Sequence, residues 1–235
     1  QMDLNKLNKK NRVNFIATGI LLLIFILFTA VILTTDVQPI GPEQSSVGLA
    51  TLNKHMNNLF GVNILWYEIT EWTGIITIGI AVSHSLMGLA QLIKRRSFKL
   101  IDLDIIVLGA FYVLVAFCYF LFEILIINYR PIIIGDSMEA SFPSSHTMVV
   151  LCIMATSMMR FNMLLKNTKI KIMANLISIS IIAITIIGRM VSGVHWFTDI
   201  LGSLLLGSTL IMLYYSVIQF INYRNAIPHK IDPLK

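Results

Sequence analysis

Residues 188–199 of the chain read GRMVSGVHWFTD and separate two long apolar segments, residues 170–187 and 200–221. Each segment is close to the roughly 20 residues that an α-helix needs to cross a bilayer. The stretch between them therefore joins the ends of two predicted membrane spans, yet it contains an arginine, a histidine and an aspartate. Ionisable groups at that depth are costly, so their presence is by default a hypothesis of function.

His195 and Asp199 are four residues apart in this stretch. In a helix that spacing places both side chains on one face, one turn apart. A carboxylate beside an imidazole can select its tautomer and stabilise the imidazolium, as in catalytic triads. The alternative is a helix cap and salt bridge that close a short extracellular loop, and the stretch alone favours neither interpretation.

The composition is typical of a membrane protein with several spans. The chain has 235 residues, of which 56% are hydrophobic and 13% are charged, whereas soluble domains contain about 25% charged residues. One helical bundle would use nearly all of this length, so we predict a single domain over residues 1–235. Cys118 and Cys152 both fall in apolar segments, which argues against a disulfide framework.

Six apolar segments predict an all-α protein with six transmembrane helices in one bundle. Their approximate bounds are residues 13–34, 73–93, 105–127, 147–165, 170–187 and 200–221. All six prolines lie outside these segments, as expected because proline breaks the hydrogen-bond ladder inside a helix. The first outer loop, residues 35–72, has apolar residues at near-helical spacing. It predicts either a short interfacial helix or an ordinary amphipathic connector.

The basic residues predict the orientation of the bundle. With the amino terminus in the cytoplasm, the inner segments contain 15 of the 18 lysines and arginines. These are Lys6, Lys9, Lys10, Arg12, Lys94, Arg95, Arg96, Lys99, Arg160, Lys166, Lys169, Lys171, Arg224, Lys230 and Lys235. By the positive-inside rule both termini are then cytoplasmic. The net charge of +6 is therefore a topology signal, and a nucleic-acid partner is not expected.

With this topology, polar residues from three separate places converge on the outer face. Arg130-Pro131 ends the third span, Pro143-Ser144-Ser145-His146 opens the fourth, and residues 189–199 join the fifth to the sixth. Two arginines on this face run against the charge rule, so topology does not explain them. We therefore expect these three segments to form one site.

The residue types at this face suit a phosphate group. A Pro-Ser-Ser sequence before a helix predicts a cap, and the free N–H groups at a helix start bind anions. The planar fork of arginine matches phosphate oxygens, and two histidines can divide attack on phosphorus from protonation of the leaving oxygen. No carboxylate cluster suits magnesium and no Cys/His spacing suits zinc, so we expect a site with no metal and no cofactor.

These sequence elements resemble the three signature motifs of the type 2 phosphatidic acid phosphatase superfamily. The matching residues are Arg130-Pro131, Pro143-Ser144-Ser145-His146 and Arg189-x5-His195-x3-Asp199, in the family's order and spacing. Membrane members of this family have six spans and an extracytoplasmic site, which agrees with the predicted layout. The motifs cover only a small part of the chain, but each falls at the end of a predicted span.

The resemblance implies a role for each matching residue. His195 would be the nucleophile that forms a phosphohistidine, and Asp199 would orient its ring. His146 would be the general acid and then the base for the attacking water. The phosphate oxygens would be held by Arg130, Arg189, Ser144 and Ser145.

Three residues depart from the family pattern. The lysine of the first motif, seven residues before Arg130, is Glu123 here, and a helix would place it on the same face about 10 Å away. There it could repel phosphate, pair with an arginine or, when protonated, donate a hydrogen bond. The glycine of the second motif is Ser145 and the serine before Arg189 is Gly188, and a backbone N–H survives both changes.

Together these features predict a metal-independent lipid phosphate phosphatase at the outer leaflet of a cell membrane, and we expect a bacterial one. Candidate substrates are undecaprenyl pyrophosphate, phosphatidylglycerol phosphate and phosphatidic acid, and the expected partners are such a lipid and the bilayer. A lipid phosphotransferase on the same scaffold is the first alternative. A lipid-phosphate binding or transport protein, disabled by Glu123, is the second. The sequence does not indicate an oligomeric state.

Overall fold

The computed structural model describes residues 4–226 of the chain, and within this range the fold is helical. The α-helices of this range are α1 (Leu4–Thr34), α2 (Ala50–Phe60), α3 (Ile64–Arg95), α4 (Leu103–Ile124), α5 (Ser145–Leu164), α6 (Thr168–Val191) and α7 (Phe197–Ala226). Residues 1–3 and 227–235 lie outside the described range. Lys230, Lys235 and both ends of the predicted domain fall there.

Among the described helices, six are long and apolar enough to cross a membrane, and only α2 is not. This confirms the predicted all-α fold with six spans. α5 lies at the centre of the bundle, because half of its most apolar segment is buried, against 11–33% in the other five spans. It packs against α3, α4, α6 and α7, while α1 packs along α7. The core between these helices includes Leu108, Phe111, Met148, Cys152, Leu206 and Leu210.

The second span begins well before its predicted start near residue 73, because α3 already begins at Ile64. The Asn63 side chain caps this start by accepting a hydrogen bond from the Trp66 N–H at 3.3 Å. The first two turns of α3 contain two glutamates, which lower the local hydropathy and hide the beginning of the helix in the sequence. The extra turns bring α3 up to the level of the polar segments at this end of the bundle.

The short helix predicted in the first outer loop is α2, and it is anchored to the start of α7. The Asn53 Nδ2 donates hydrogen bonds to the Gly48 carbonyl oxygen and to the Thr198 Oγ1, both at 2.9 Å. The Asn53 Oδ1 accepts from the Thr198 N–H at 3.1 Å. The Asn53 side chain is completely buried, so these bonds fix α2 against the residue that precedes Asp199. The location of α2 in a membrane interface stays a prediction.

Candidate active site

The connection between α4 and α5 lies against the connection between α6 and α7. Tyr129 and Ala140 form an antiparallel bridge within the first connection. The Trp196 indole N–H, from the second connection, donates to the Tyr129 carbonyl oxygen at 2.8 Å. At the start of α5, the Ser144 N–H donates to the Asp199 carbonyl oxygen at 3.1 Å. These bonds bring the segments that contain the three motifs together at one end of the bundle.

His195 and Asp199 are buried and are joined through Ser141, which the sequence analysis did not identify. The His195 Nδ1 is 3.2 Å from the Ser141 Oγ and 3.7 Å from the Asp199 Oδ2. The Ser141 hydroxyl also hydrogen-bonds the Asp199 Oδ2. An ionised carboxylate only accepts, so the hydroxyl gives its single proton to Asp199 and accepts the Nδ1 proton of His195. The His195 Nε2 then carries the lone pair that a nucleophile needs.

The surroundings of His195 keep its ring neutral. Burial lowers the pKa of His195 well below its ordinary value, and the positive charges of Arg130 and Arg189 lower it further. His195 lies just outside the helix, because α7 begins at Phe197. The one-turn helical geometry expected for His195 and Asp199 is therefore not what joins them, and the serine hydroxyl fills the gap instead.

His146 lies in the first turn of α5 and is positioned by α3. Its Nε2 is 2.7 Å from the Thr70 carbonyl oxygen, which can only accept, so Nε2 carries a proton and Nδ1 is the free nitrogen. This Nδ1 is 3.9 Å from the Glu71 Oε1. Gly74 allows the close approach, because a Cβ at that position would lie 2.4 Å from the His146 Cε1. Three residues of α3 thus surround a histidine that the motifs place on α5.

Each of the two arginines is paired with a carboxylate. The Arg130 Nη2 is 3.1 Å from the Glu139 Oε2, and the Arg189 Nη2 is 2.5 Å from the Glu71 Oε1. The Arg189 guanidinium also lies 5.2 Å from the centre of the Tyr67 ring. The Arg189 Nε and Nη1 are buried and have no hydrogen-bond partner among the described residues. Buried donors are normally satisfied, so these two N–H groups are candidates to donate to a bound anion.

The two serines of the second motif lie at the start of α5, with different surroundings. Ser144 is buried, and its Oγ accepts from the Thr147 N–H at 3.5 Å as the helix cap. Its carbonyl oxygen accepts a hydrogen bond from the Ser203 hydroxyl at 2.8 Å. Ser145 is partly exposed and is the first residue of α5. The predicted cap is thus present, while phosphate binding by both serines stays a prediction.

Glu123 does not have the position that the sequence predicts. α4 ends at Ile124, and Arg130 lies in the connection that follows, so the two residues do not share a helix face. Glu123 is exposed and takes part in none of the salt bridges between described residues. The carboxylates that do reach the two arginines are Glu71 and Glu139. The only signal of Glu71 in the sequence was a pair of glutamates, Glu68 and Glu71, just before an apolar span.

A cavity of about 470 Å³ lies between α3, α4 and α5. Glu71 and His146 form its polar part, and the remaining wall is apolar or aromatic. Three residues of this wall are more than half exposed on the membrane-facing surface of the helices: Ile75 at 58%, Ile78 at 57% and Phe120 at 63%. The cavity therefore connects the polar cluster with the side of the bundle that lipid would cover.

Comparison with known proteins gives a family match over part of the chain and the fold of the whole. Residues 110–223 match the sequence model of the PAP2 superfamily. No curated protein sequence matches the chain significantly. The chain is similar to a solved structure described as the first transmembrane PAP2 type phosphatidylglycerolphosphate phosphatase from Bacillus subtilis, with a TM-score of 0.64 and 19% sequence identity. The similarity covers 87% of this chain and 96% of that chain. The part of the chain that contains the three motifs therefore matches the PAP2 superfamily, and the chain has the fold of a transmembrane PAP2 type protein.

Proposed function

We propose that the protein hydrolyses a phosphate ester or diphosphate of a membrane lipid at the outer leaflet, through a phosphohistidine. The observation that carries this proposal is the junction of an apolar, membrane-facing cavity with the cluster that contains His146. A cavity of this size is within the usual range for small-molecule sites. A lipid could place its chain against the apolar wall and its headgroup at the polar end.

The first step of the proposed reaction transfers the phosphoryl group to the enzyme. The His195 Nε2 forms a bond to phosphorus, and the bond between phosphorus and the lipid oxygen breaks. His146, in its protonated form, gives its proton to the leaving oxygen. Asp199 stabilises the positive charge on His195 through the Ser141 hydroxyl.

The second step restores the enzyme. His146 takes a proton from a water molecule, the water oxygen bonds to phosphorus, and the bond to the His195 Nε2 breaks. The products are the dephosphorylated lipid and orthophosphate, or a lipid monophosphate and orthophosphate when the substrate is a diphosphate. Arg130, Arg189 and the backbone at Ser144 and Ser145 hold the phosphoryl oxygens during both steps.

The outward orientation and the substrate rest on different arguments. The positive-inside rule supports a site on the extracytoplasmic side with both termini in the cytoplasm. Undecaprenyl pyrophosphate, phosphatidylglycerol phosphate and phosphatidic acid all combine an apolar chain with a terminal phosphate. The similar structure from Bacillus subtilis is described as a phosphatidylglycerolphosphate phosphatase, which supports including that lipid.

The proposed activity is tested by orthophosphate release from these three lipids with the purified protein in detergent. We expect turnover of at least one lipid, no loss of activity with EDTA, and inhibition by vanadate. Turnover only in the presence of an acceptor alcohol would instead indicate a phosphotransferase. No release from any lipid, together with robust release after Glu123→Lys, would indicate a degenerate binding protein.

The hydrogen-bond relay from His195 through Ser141 to Asp199 gives a prediction about kcat. We expect Ser141→Ala to lower kcat by about 10- to 100-fold, because a hydrogen bond to a charged group contributes about 1.5–3 kcal/mol and 1.36 kcal/mol corresponds to tenfold. KM should stay nearly constant, since Ser141 acts on the ring of His195 and not on the substrate. Ser137→Ala, an exposed serine in the same connection, is the matched control. Equal kcat values for the two variants would contradict the relay.

A further inference from the structure

Glu71 lies where the polar cluster and the apolar cavity meet. Its Oε1 is 2.5 Å from the Arg189 Nη2 and 3.9 Å from the His146 Nδ1. The Glu71 side chain is 46% exposed and lines the cavity, whereas the Arg189 side chain is 2% exposed. The arginine is therefore fixed by its surroundings, and the carboxylate is the partner with room to move.

The ion pair occupies the atom of Arg189 that phosphate binding needs most. A guanidinium offers an oxyanion two forks, one formed by Nε and Nη2 and the other by Nη1 and Nη2. Glu71 holds Nη2, which belongs to both forks, while Nε and Nη1 have no partner among the described residues. A phosphate that takes either fork must share Nη2 with the Glu71 carboxylate or displace it.

Two glycines allow Glu71 to reach this position. A Cβ at Gly188 would lie 2.4 Å from the Thr70 Cγ2, and a Cβ at Gly74 would lie 2.4 Å from the His146 Cε1. Thr70 and Gly74 are on either side of Glu71 in α3. The missing side chain at Gly74 lets α3 lie close to α5, and the missing side chain at Gly188 lets it lie close to α6. The serine of the family motif at position 188 would require the Thr70 side chain or α3 itself to shift.

We infer that Glu71 competes with the phosphate of the substrate for Arg189, and so makes the site weak for phosphate anions that lack a lipid chain. This inference rests on the proposed function and deepens it. Substrate affinity then comes mainly from the apolar cavity, and the orthophosphate product leaves readily because Glu71 returns to Arg189. The site selects a phosphorylated lipid over a small soluble phosphate.

The test compares Glu71→Gln with Glu68→Gln, which removes the same charge from an exposed position one turn away on α3. Orthophosphate and vanadate are titrated against each purified protein, with thermal unfolding as the binding readout and inhibition of lipid hydrolysis as the second readout. We expect Glu71→Gln to bind both anions about tenfold more tightly than wild type, because like charges at a binding site oppose each other. Glu68→Gln should match wild type.

A second variant covers the case in which Glu71→Gln does not fold with an unpaired Arg189. Glu71→Asp keeps the charge but withdraws it by one methylene, so its affinity for orthophosphate should lie between those of wild type and Glu71→Gln. Weaker or equal binding by both variants would overturn the inference and make Glu71 a support for Arg189. If neither anion binds wild type or any variant, the proposed function fails and takes the inference with it.

Discussion

Replacing His195 with alanine is expected to lower kcat on the order of 10⁴-fold or more, because the variant has no nitrogen to attack phosphorus. The loss should be in kcat and not in KM, since the arginines and the cavity remain. The measurement is orthophosphate release from the best lipid of the panel, with wild type and variant at equal concentrations of folded protein. Full activity in the variant would show that the mechanism is wrong.

The control for this variant is His55→Ala. His55 lies on α2, is exposed, and forms no side-chain hydrogen bond or salt bridge within the described part of the chain. Its removal should leave kcat unchanged. A comparable loss in both variants would point to a general effect on folding or on the detergent-solubilised state.

Replacing His146 with alanine is expected to lower kcat for a lipid substrate by about 10²- to 10⁴-fold, the usual contribution of a general acid–base group. The size of the loss should depend on the leaving group. A lipid alkoxide is strongly basic and needs a proton from His146 to leave, whereas the p-nitrophenolate of p-nitrophenyl phosphate leaves as a stable anion. The loss in the first step should therefore be much smaller with p-nitrophenyl phosphate. Pre-steady-state release of nitrophenol, followed in the variant and in wild type, measures that step directly.

The outcome against this role would be an equal loss with both leaving groups. That result would indicate that His146 mainly holds the phosphate or the backbone of α3. The structure makes the comparison informative, because the His146 Nε2 already donates to the Thr70 carbonyl and only Nδ1 is free.

The fold was predictable because hydropathy and charge placement act over whole segments. Six apolar runs of span length, with prolines between them, determine six helices before any contact is known. The bounds were less certain where polar residues lie inside a helix. α3 begins at Ile64, although its first two turns contain two glutamates. A hydropathy pattern treats such polar residues as loop and therefore places the start of the helix too late.

The motif residues were predictable as a set, but their supporting partners were not. Ser141 and Asp199 are 58 positions apart, and Arg189 and Glu71 are 118 positions apart. Nothing in local spacing indicates such pairs, since they depend on how closely helices and connections pack. The contact of Glu71 with Arg189 also depends on Gly188, whose missing side chain looked like a mild change in the sequence.

Glu123 shows the opposite error. Its distance of seven residues from Arg130 suggested a shared helix face, which requires the helix to continue to that arginine. The helix ends at Ile124, so the spacing has no such meaning. An acidic residue at a family's lysine position drew attention to Glu123, whereas the carboxylates that pair with the two arginines are Glu71 and Glu139.

The central claim is that His195 receives the phosphoryl group and His146 assists both steps. The most direct measurement uses p-nitrophenyl phosphate with a radioactive phosphorus atom, at a concentration high enough to offset its expected weak binding. The His146→Ala variant is mixed with this substrate, denatured rapidly at alkaline pH and analysed by peptide mapping. In this variant the first step proceeds and the second is slow, so we predict labelled phosphohistidine at position 195, and no label in a His146→Ala, His195→Ala double variant. Label on another residue, or its persistence in the double variant, would contradict the claim.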